Sequence, residues 1–290
     1  MVFSDSYKQA PIAIYDSGIG GLAIARVIKA GLPEESIHYI GDTTNLPYGE
    51  KRATALRGYI AQVVNFCLHK GYKLLVMACN TATAAADGFL PSYLKTVGAD
   101  MNIINVIDPV ITYITENNRY NQIGLIGTTY TVTQGIYAER LRTTGITLTA
   151  LATPLLVPMV EACFNGGKID HLLLDCYLKQ IGAIDALIPA CTHYIFLEKA
   201  LKSFFSRRYA KKIEVIDVAK LTALNVKAWL TAANLLNNTK KKRPDCFMAT
   251  TLTPAFKNAT KKLFGATPME INLADATRSG DFKCMDASCK

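Results

Sequence analysis

Residues 74–83 read LLVMACNTAT, an apolar, partly β-branched run that stops abruptly at a small residue, a thiol, an amide and a hydroxyl. Such a short, unbroken apolar run suits a strand buried on both faces of a parallel sheet. Its polar end then falls at the strand's carboxyl terminus, where open α/β sheets bind ligands. A near-copy follows at residues 187–194, LIPACTHY, where another apolar run ends in Ala190, Cys191 and Thr192. The two cysteines, Cys79 and Cys191, lie 191 − 79 = 112 residues apart.

Outward from this pair, the same offset of 112 carries Asp16, just after the run IAIY at 12–15, onto Thr128, just after QIGLIG at 122–127. Two polar strand ends related by one spacing predict an internal duplication, with two similar halves facing each other across a cleft. The apolar runs at 37–40, 103–107, 146–151, 213–216, 246–249 and 269–271 supply further strands, separated by helical patterns. The expected fold is therefore α/β: two pseudo-symmetric parallel-sheet α/β domains with the active site between them. Residues 103–107 are read as opening the second series, and the segment after 213 has no partner in the duplication. The division expected is residues 1–101 plus 214–290 as a discontinuous first domain and 102–213 as the second.

A chain of 290 residues, half of them hydrophobic, is long enough for two such cores. Its start, MVFSDSYKQAP, is neither a leader nor a membrane anchor in pattern, so no membrane partner is expected. Eight cysteines scattered through apolar elements suit free thiols in a reducing, cytoplasmic setting. The net charge of +9 is spread along the chain and reads as a basic solvated surface, not as a nucleic-acid site. The run Lys240-Lys241-Lys242-Arg243 reads as a solvated helix end, and Cys284 and Cys289 lack the spacing of a metal site.

The chemistry is expected where these strand ends converge. Each cysteine alone could be a core residue, but each is followed at once by hydrogen-bonding groups, Asn80-Thr81 and Thr192-His193, that a sealed core would not favour. Facing thiols in opposite ionisation states suit inversion at carbon, one removing a proton and the other returning one to the opposite face. Half-ionising a thiol at pH 7 requires its pKa to fall from about 8.5 by roughly 1.5 units, about 2 kcal/mol. A helix N-terminus supplies about 0.3–1 kcal/mol of that. His193 can supply much of the remainder for Cys191, and Asp16 can accept or relay a proton on the other side. The loop Asn45-Leu46-Pro47-Tyr48-Gly49 reads either as a plain turn or as a carboxylate clamp built from a Tyr hydroxyl and a backbone N–H. Gly18-x-Gly20-x-x-Ala23 with Asp42 matches a dinucleotide fingerprint, although Asp16 would stand close to the pyrophosphate. The plainer reading is a helix N-terminus open to a small anionic ligand.

Assembled, these pieces resemble the glutamate racemases, cofactor-independent enzymes of the aspartate/glutamate racemase superfamily. The resemblance is carried by Asp16-Ser17-Gly18-Ile19-Gly20-Gly21-Leu22, by Gly41-Asp42-Thr43 through Pro47-Tyr48-Gly49, by Ala78-Cys79-Asn80-Thr81-Ala82 and by Cys191-Thr192-His193-Tyr194, and it runs to about Ile271. It implies that Cys79 takes the α-proton of D-glutamate and Cys191 that of L-glutamate, with Asp16 and His193 assisting. It implies substrate contacts from Asp16, Ser17, Pro47, Tyr48, Gly49, Asn80, Thr81, Thr128, Thr192 and His193. It also implies no cofactor or metal, a homodimer, and D-glutamate made in a bacterial cytoplasm for peptidoglycan. Ile195 and Ala190 depart from the family's usual Pro and Gly without removing a catalytic group. A relative acting on aspartate, an NAD-binding oxidoreductase and a binding protein without turnover are the alternatives.

Overall fold

A computed structural model describes residues 4–117, 119–210, 212–239 and 243–273. Two all-parallel sheets organise the chain. The first contains β1 (Ile12–Asp16), β2 (Ile37–Gly41), β3 (Leu74–Met77), β4 (Ile103–Asn105), β9 (Cys246–Ala249) and β10 (Met269–Glu270), in the order β10-β9-β2-β1-β3-β4. The second contains β5 (Gln122–Gly127), β6 (Thr147–Ala152), β7 (Ala186–Ala190) and β8 (Glu214–Val215), in the order β6-β5-β7-β8. Central strands β1, β3 and β7 are buried along their whole length, as parallel strands covered by helices must be.

The duplication extends through the whole second sheet. Adding 112 to the first residues of β1, β2, β3 and β4 gives 124, 149, 186 and 215, within β5, β6, β7 and β8 respectively. The order β2-β1-β3-β4 is likewise repeated as β6-β5-β7-β8. Two expectations are corrected by this pairing. Residues 103–105 close the first sheet beside β3, and Glu214–Val215 belong to the second sheet beside β7. Grouped by sheet, β4 goes with the first half and β8 with the second. The strands near 246 and 269 do return to the first sheet.

The two crossings between sheets lie side by side. Glu214, opening β8, accepts hydrogen bonds from Tyr113 (2.6 Å) and Tyr120 (2.7 Å), which flank the other crossing, and from Arg119 (2.6 Å). A buried ion pair holds the discontinuous half together: Lys73 Nζ, just before β3, donates to Glu35 Oε2 (2.5 Å), to Lys8 O (2.6 Å) and to Leu235 O (2.9 Å). Glu35 Oε1 accepts the Asn237 N–H at 2.8 Å, so the returning segment closes on the same pair.

Helix breaks follow local chemistry. The chain after β3 forms two helices, Asn80–Ala86 and Leu90–Thr96, because Gly88 between them takes a left-handed φ of 67°. Thr129–Gln134 and Ile136–Leu141 are likewise divided at Gly135, φ 66°. Among the described residues no helix is long and apolar enough to cross a membrane, and six cysteines are free thiols. Lys240–Lys242 and residues 274–290, with Cys284 and Cys289, lie outside the described residues.

Candidate active site

The carboxyl ends of both sheets open onto one cleft. Its walls come from Ser17 after β1, Cys79, Asn80 and Thr81 after β3, Thr128 and Thr129 after β5, Pro154 after β6, and Cys191, Thr192 and His193 after β7. The loop Leu46, Pro47, Tyr48, Gly49 and Glu50 lines another side, and Val157 completes it. About 480 Å³ of empty space lies between these walls, part of it open to solvent. Every sequence-predicted site residue except Asp16 lies on this wall. Asp16 is fully buried just behind it, its Oδ1 accepting the Gly18 N–H (2.9 Å) and its Oδ2 the Thr192 hydroxyl (3.0 Å).

Glycines let the halves approach this closely. A Cβ on Gly20 would lie 2.2 Å from Thr192 Oγ1, and one on Gly49 would lie 2.6 Å from Thr128 Cβ. Thr192 and His193 thus pack against the turn that a dinucleotide pyrophosphate would need, which weighs against the nicotinamide reading. Thr81 and Thr128 make a matching link between halves, with hydroxyl oxygens 2.8 Å apart and both in reach of Thr131.

The two thiols have unlike surroundings. Cys79 caps the helix Asn80–Ala86; its Sγ accepts the Ala82 N–H at 3.4 Å and lies 3.8 Å from Ser17 Oγ. Burial pushes the Cys79 thiol up to about 12, and the Asp16 charge adds to this, outweighing the helix N–H. The sequence shows what half-ionising a thiol requires, but the burial that opposes a thiolate at Cys79 leaves no local trace in it. Cys191 Sγ lies 3.8 Å from His193 Nδ1, and His193 Nε2 lies 2.8 Å from Glu161 Oε1. Burial opposes a charge on His193, but the hydrogen bonds and negative charge of Cys191 and Glu161 prevail and raise the imidazole to about 10. These partners favour the imidazolium form of His193. For Asp16, burial raises the carboxyl above its usual range, while His193, the Gly18 N–H and Thr192 hold it back.

Glu161 was missed by sequence reasoning, although it is the lone acid in the otherwise apolar helix Leu156–Phe164, LVPMVEACF. Tyr48 differs from one expectation. Its hydroxyl donates to Asp42 Oδ2 (2.5 Å) and lies 2.5 Å from the Tyr15 hydroxyl, so it faces a buried network. Asp42 also accepts from Asn45 (2.9 Å) and Thr250 (3.0 Å), and is fully committed to holding this loop. What remains for a carboxylate is the backbone of the tight turn Tyr48–Glu50. Asn80 brings another donor: its Oδ1 accepts from Tyr137, a residue unmarked by any sequence signal, and its buried Nδ2 has no partner among the described residues. No group of His, Cys, Asp and Glu among the described residues is arranged to hold a metal ion.

The arrangement can move protons between two thiols and bind a small anion. No protein-family model matches the chain. A glutamate racemase of Neisseria meningitidis serogroup C (strain FAM18) is 33% identical over 271 residues, 92% of this chain and 97% of the relative. The crystal structure of glutamate racemase from Francisella tularensis in complex with D-glutamate superposes with a TM-score of 0.80 at 27% identity, covering 92% of this chain and 98% of that one. That of glutamate racemase from Thermus thermophilus, in complex with β-chloro-D-alanine, gives 0.78 at 31% identity, covering 92% and 99%.

Proposed function

The chain belongs to the glutamate racemase family, and from that premise we propose that it interconverts L- and D-glutamate by passing the α-proton between Cys79 and Cys191. The observation that carries this reading is the position of the two thiols, at the ends of equivalent strands of two sheets and on the walls of one cleft. Starting from L-glutamate, Cys191 as thiolate takes the α-proton and leaves a planar carbanion. The Cys79 thiol then returns its proton to the opposite face. The cycle ends with Cys191 as thiol and Cys79 as thiolate, the state from which D-glutamate is turned over in reverse.

The environments fit these roles. Burial beside Asp16 keeps Cys79 protonated in the empty cleft, ready to donate. The imidazolium of His193, held by Glu161, gives a thiolate at Cys191 its counter-charge. Asp16, buried behind the wall with its charge bearing on Cys79, is the acid assigned to assist that thiol. Backbone N–H groups at Tyr48 and Gly49, with Asn80 Nδ2, hold the substrate's carboxylates, and Ser17, Pro47, Thr81, Thr128 and Thr192 shape the remainder. Supply of D-glutamate for peptidoglycan in a bacterial cytoplasm, a homodimer, and two domains divided after β4 and after β8 belong to the same proposal.

The test is incubation with L-glutamate in D₂O. Deuterium is expected at the α-carbon as optical activity decays, with Cys79→Ala and Cys191→Ala each abolishing racemization. Racemization by both single variants would end the two-thiol reading. Faster turnover of aspartate in the same assay would replace the substrate.

A further inference from the structure

Asn80 stands at the first turn of the helix Asn80–Ala86, with its side chain almost wholly buried at the cleft wall. Its Oδ1 accepts a hydrogen bond from the Tyr137 hydroxyl at 2.7 Å, while its Nδ2 has no partner among the described residues. An unpaired buried amide N–H costs about 1–3 kcal/mol, which an acceptor from outside the chain, bound in the cleft that Asn80 lines, would relieve. Tyr137 comes from the other half, on the helix Ile136–Leu141 that follows β5, and it too is buried.

The polarity of the pair follows from the phenol. Burial raises Tyr137 far above any pH at which it would ionise, so its proton stays and must find an acceptor. The amide oxygen of Asn80 is the acceptor within reach. The opposite orientation would turn two N–H groups toward the phenol, strand the phenolic proton, and aim a carbonyl oxygen into the cleft. Against an anionic amino acid that oxygen would repel where an N–H attracts. The hydroxyl thus selects one of two nearly isosteric amide orientations.

We propose that Tyr137 is a positioning residue that acts through Asn80: it reaches across from the second half, fixes the amide so that Nδ2 faces the cleft, and so makes this wall selective for a carboxylate oxygen of the amino-acid substrate. The assignment rests on the racemase reading for the identity of that substrate. It also makes substrate binding depend on both halves being docked, because the donor belongs to one and its orienting group to the other.

The experiment is a double-mutant cycle on the full chain, with KM and kcat measured for both glutamate enantiomers. Tyr137→Phe is expected to raise KM about 10-fold for each enantiomer and to change kcat by less than about 3-fold, as the loss of one oriented hydrogen bond would. In an Asn80→Ala background the same substitution is expected to change KM no further. A Tyr137 that merely packs would impose the same loss in both backgrounds, and that result would overturn the proposal, as would an unchanged KM in Tyr137→Phe. Asn80→Asp tests the polarity separately. Its carboxylate can still accept from Tyr137 but turns a negative oxygen to the cleft, so glutamate should bind more weakly than to Asn80→Ala; equal or tighter binding to Asn80→Asp would overturn the assignment. Should Tyr137→Phe not fold, this comparison decides alone. If the unaltered protein proves not to racemize glutamate, the racemase reading fails by itself, and glutamate dissociation constants from calorimetry take the place of KM in the same cycle.

Discussion

Gly20→Ala isolates the close approach of the two halves from every other property of the site. Gly20 has φ −60° and ψ −43°, a conformation open to any residue, so space and not backbone freedom requires glycine there. An added methyl carbon would lie 2.2 Å from Thr192 Oγ1 and 2.7 Å from the backbone nitrogen of His193. Ordinary contacts need about 3.5 Å, so something must retreat by roughly 1 Å. Thr192 cannot simply rotate away without losing its hydrogen bond to Asp16, and His193 N is backbone. The segment carrying Cys191 therefore moves as a unit. Overpacking of this kind costs about 1–3 kcal/mol, and a misplacement of about 1 Å at reacting groups costs about 100-fold in rate. Gly58→Ala is the control: it lies within the helix Ala53–Lys70 with nothing within 4 Å of an added Cβ, and should gain about 0.5–1 kcal/mol with unchanged activity. The assay is α-proton exchange in D₂O in both directions, beside thermal unfolding. Gly20→Ala with kcat/KM within about 3-fold of the parent would refute the reasoning.

Lys73→Met would leave Glu35 buried without its cation and is expected to cost about 3–5 kcal/mol, read by denaturant unfolding. Tyr48→Phe removes a hydroxyl bonded to Asp42 and Tyr15, so stability should fall by about 1–2 kcal/mol while KM holds within about 3-fold. A large KM rise in an intact fold would restore the hydroxyl as a substrate clamp. The His193 imidazole rises from 6.5 unfolded to about 10 folded, so its protonation stabilises the fold fully below pH 6.5 and that contribution is lost as pH climbs through 10. Glu161→Gln removes part of what raises it, and the stability difference between parent and variant should therefore shrink between pH 6.5 and 10; a difference constant with pH would contradict the coupling.

How far the sequence discloses the molecule depends on which forces leave a local trace. Strand identity does, because a parallel strand must be apolar on both faces, and β1, β3, β5 and β7 were each readable from their own residues. The duplication was readable as well, since one offset ties the strand ends; carried on to 103 it lands at 215 and would have assigned β4 and β8 correctly. Sheet pairing at a domain crossing is settled by long-range hydrogen bonds, and the short β8 has little pattern of its own. The cleft residues announced themselves as polar groups where a core would be apolar. Glu161 and Tyr137 did not, because their partners, His193 and Asn80, lie 32 and 57 residues away in the chain. The direction of the Tyr48 hydroxyl depended on Asp42, Tyr15 and Thr250 meeting behind the loop, which no spacing encodes.

The departures from symmetry matter as much as the duplication. A duplicated sheet gives each half a thiol at the same strand end, which suits a reaction whose two directions are mirror images. Two like thiols close together do not both ionise readily, but identical surroundings would not decide which one holds the proton. The offset that pairs Cys79 with Cys191 pairs Asp16 with Thr128 and Thr81 with His193, so an acid on one side answers a hydroxyl on the other, and a hydroxyl answers a base. Glu161 falls opposite Gly49 by the same count, which puts the carboxylate that charges His193 in one half alone. One thiol is thereby kept protonated by burial and a neighbouring negative charge, and the other faces an imidazole whose partners favour its charged form. On the proposed reaction, the divergence of these few positions is what turns two similar binding edges into a donor and an acceptor.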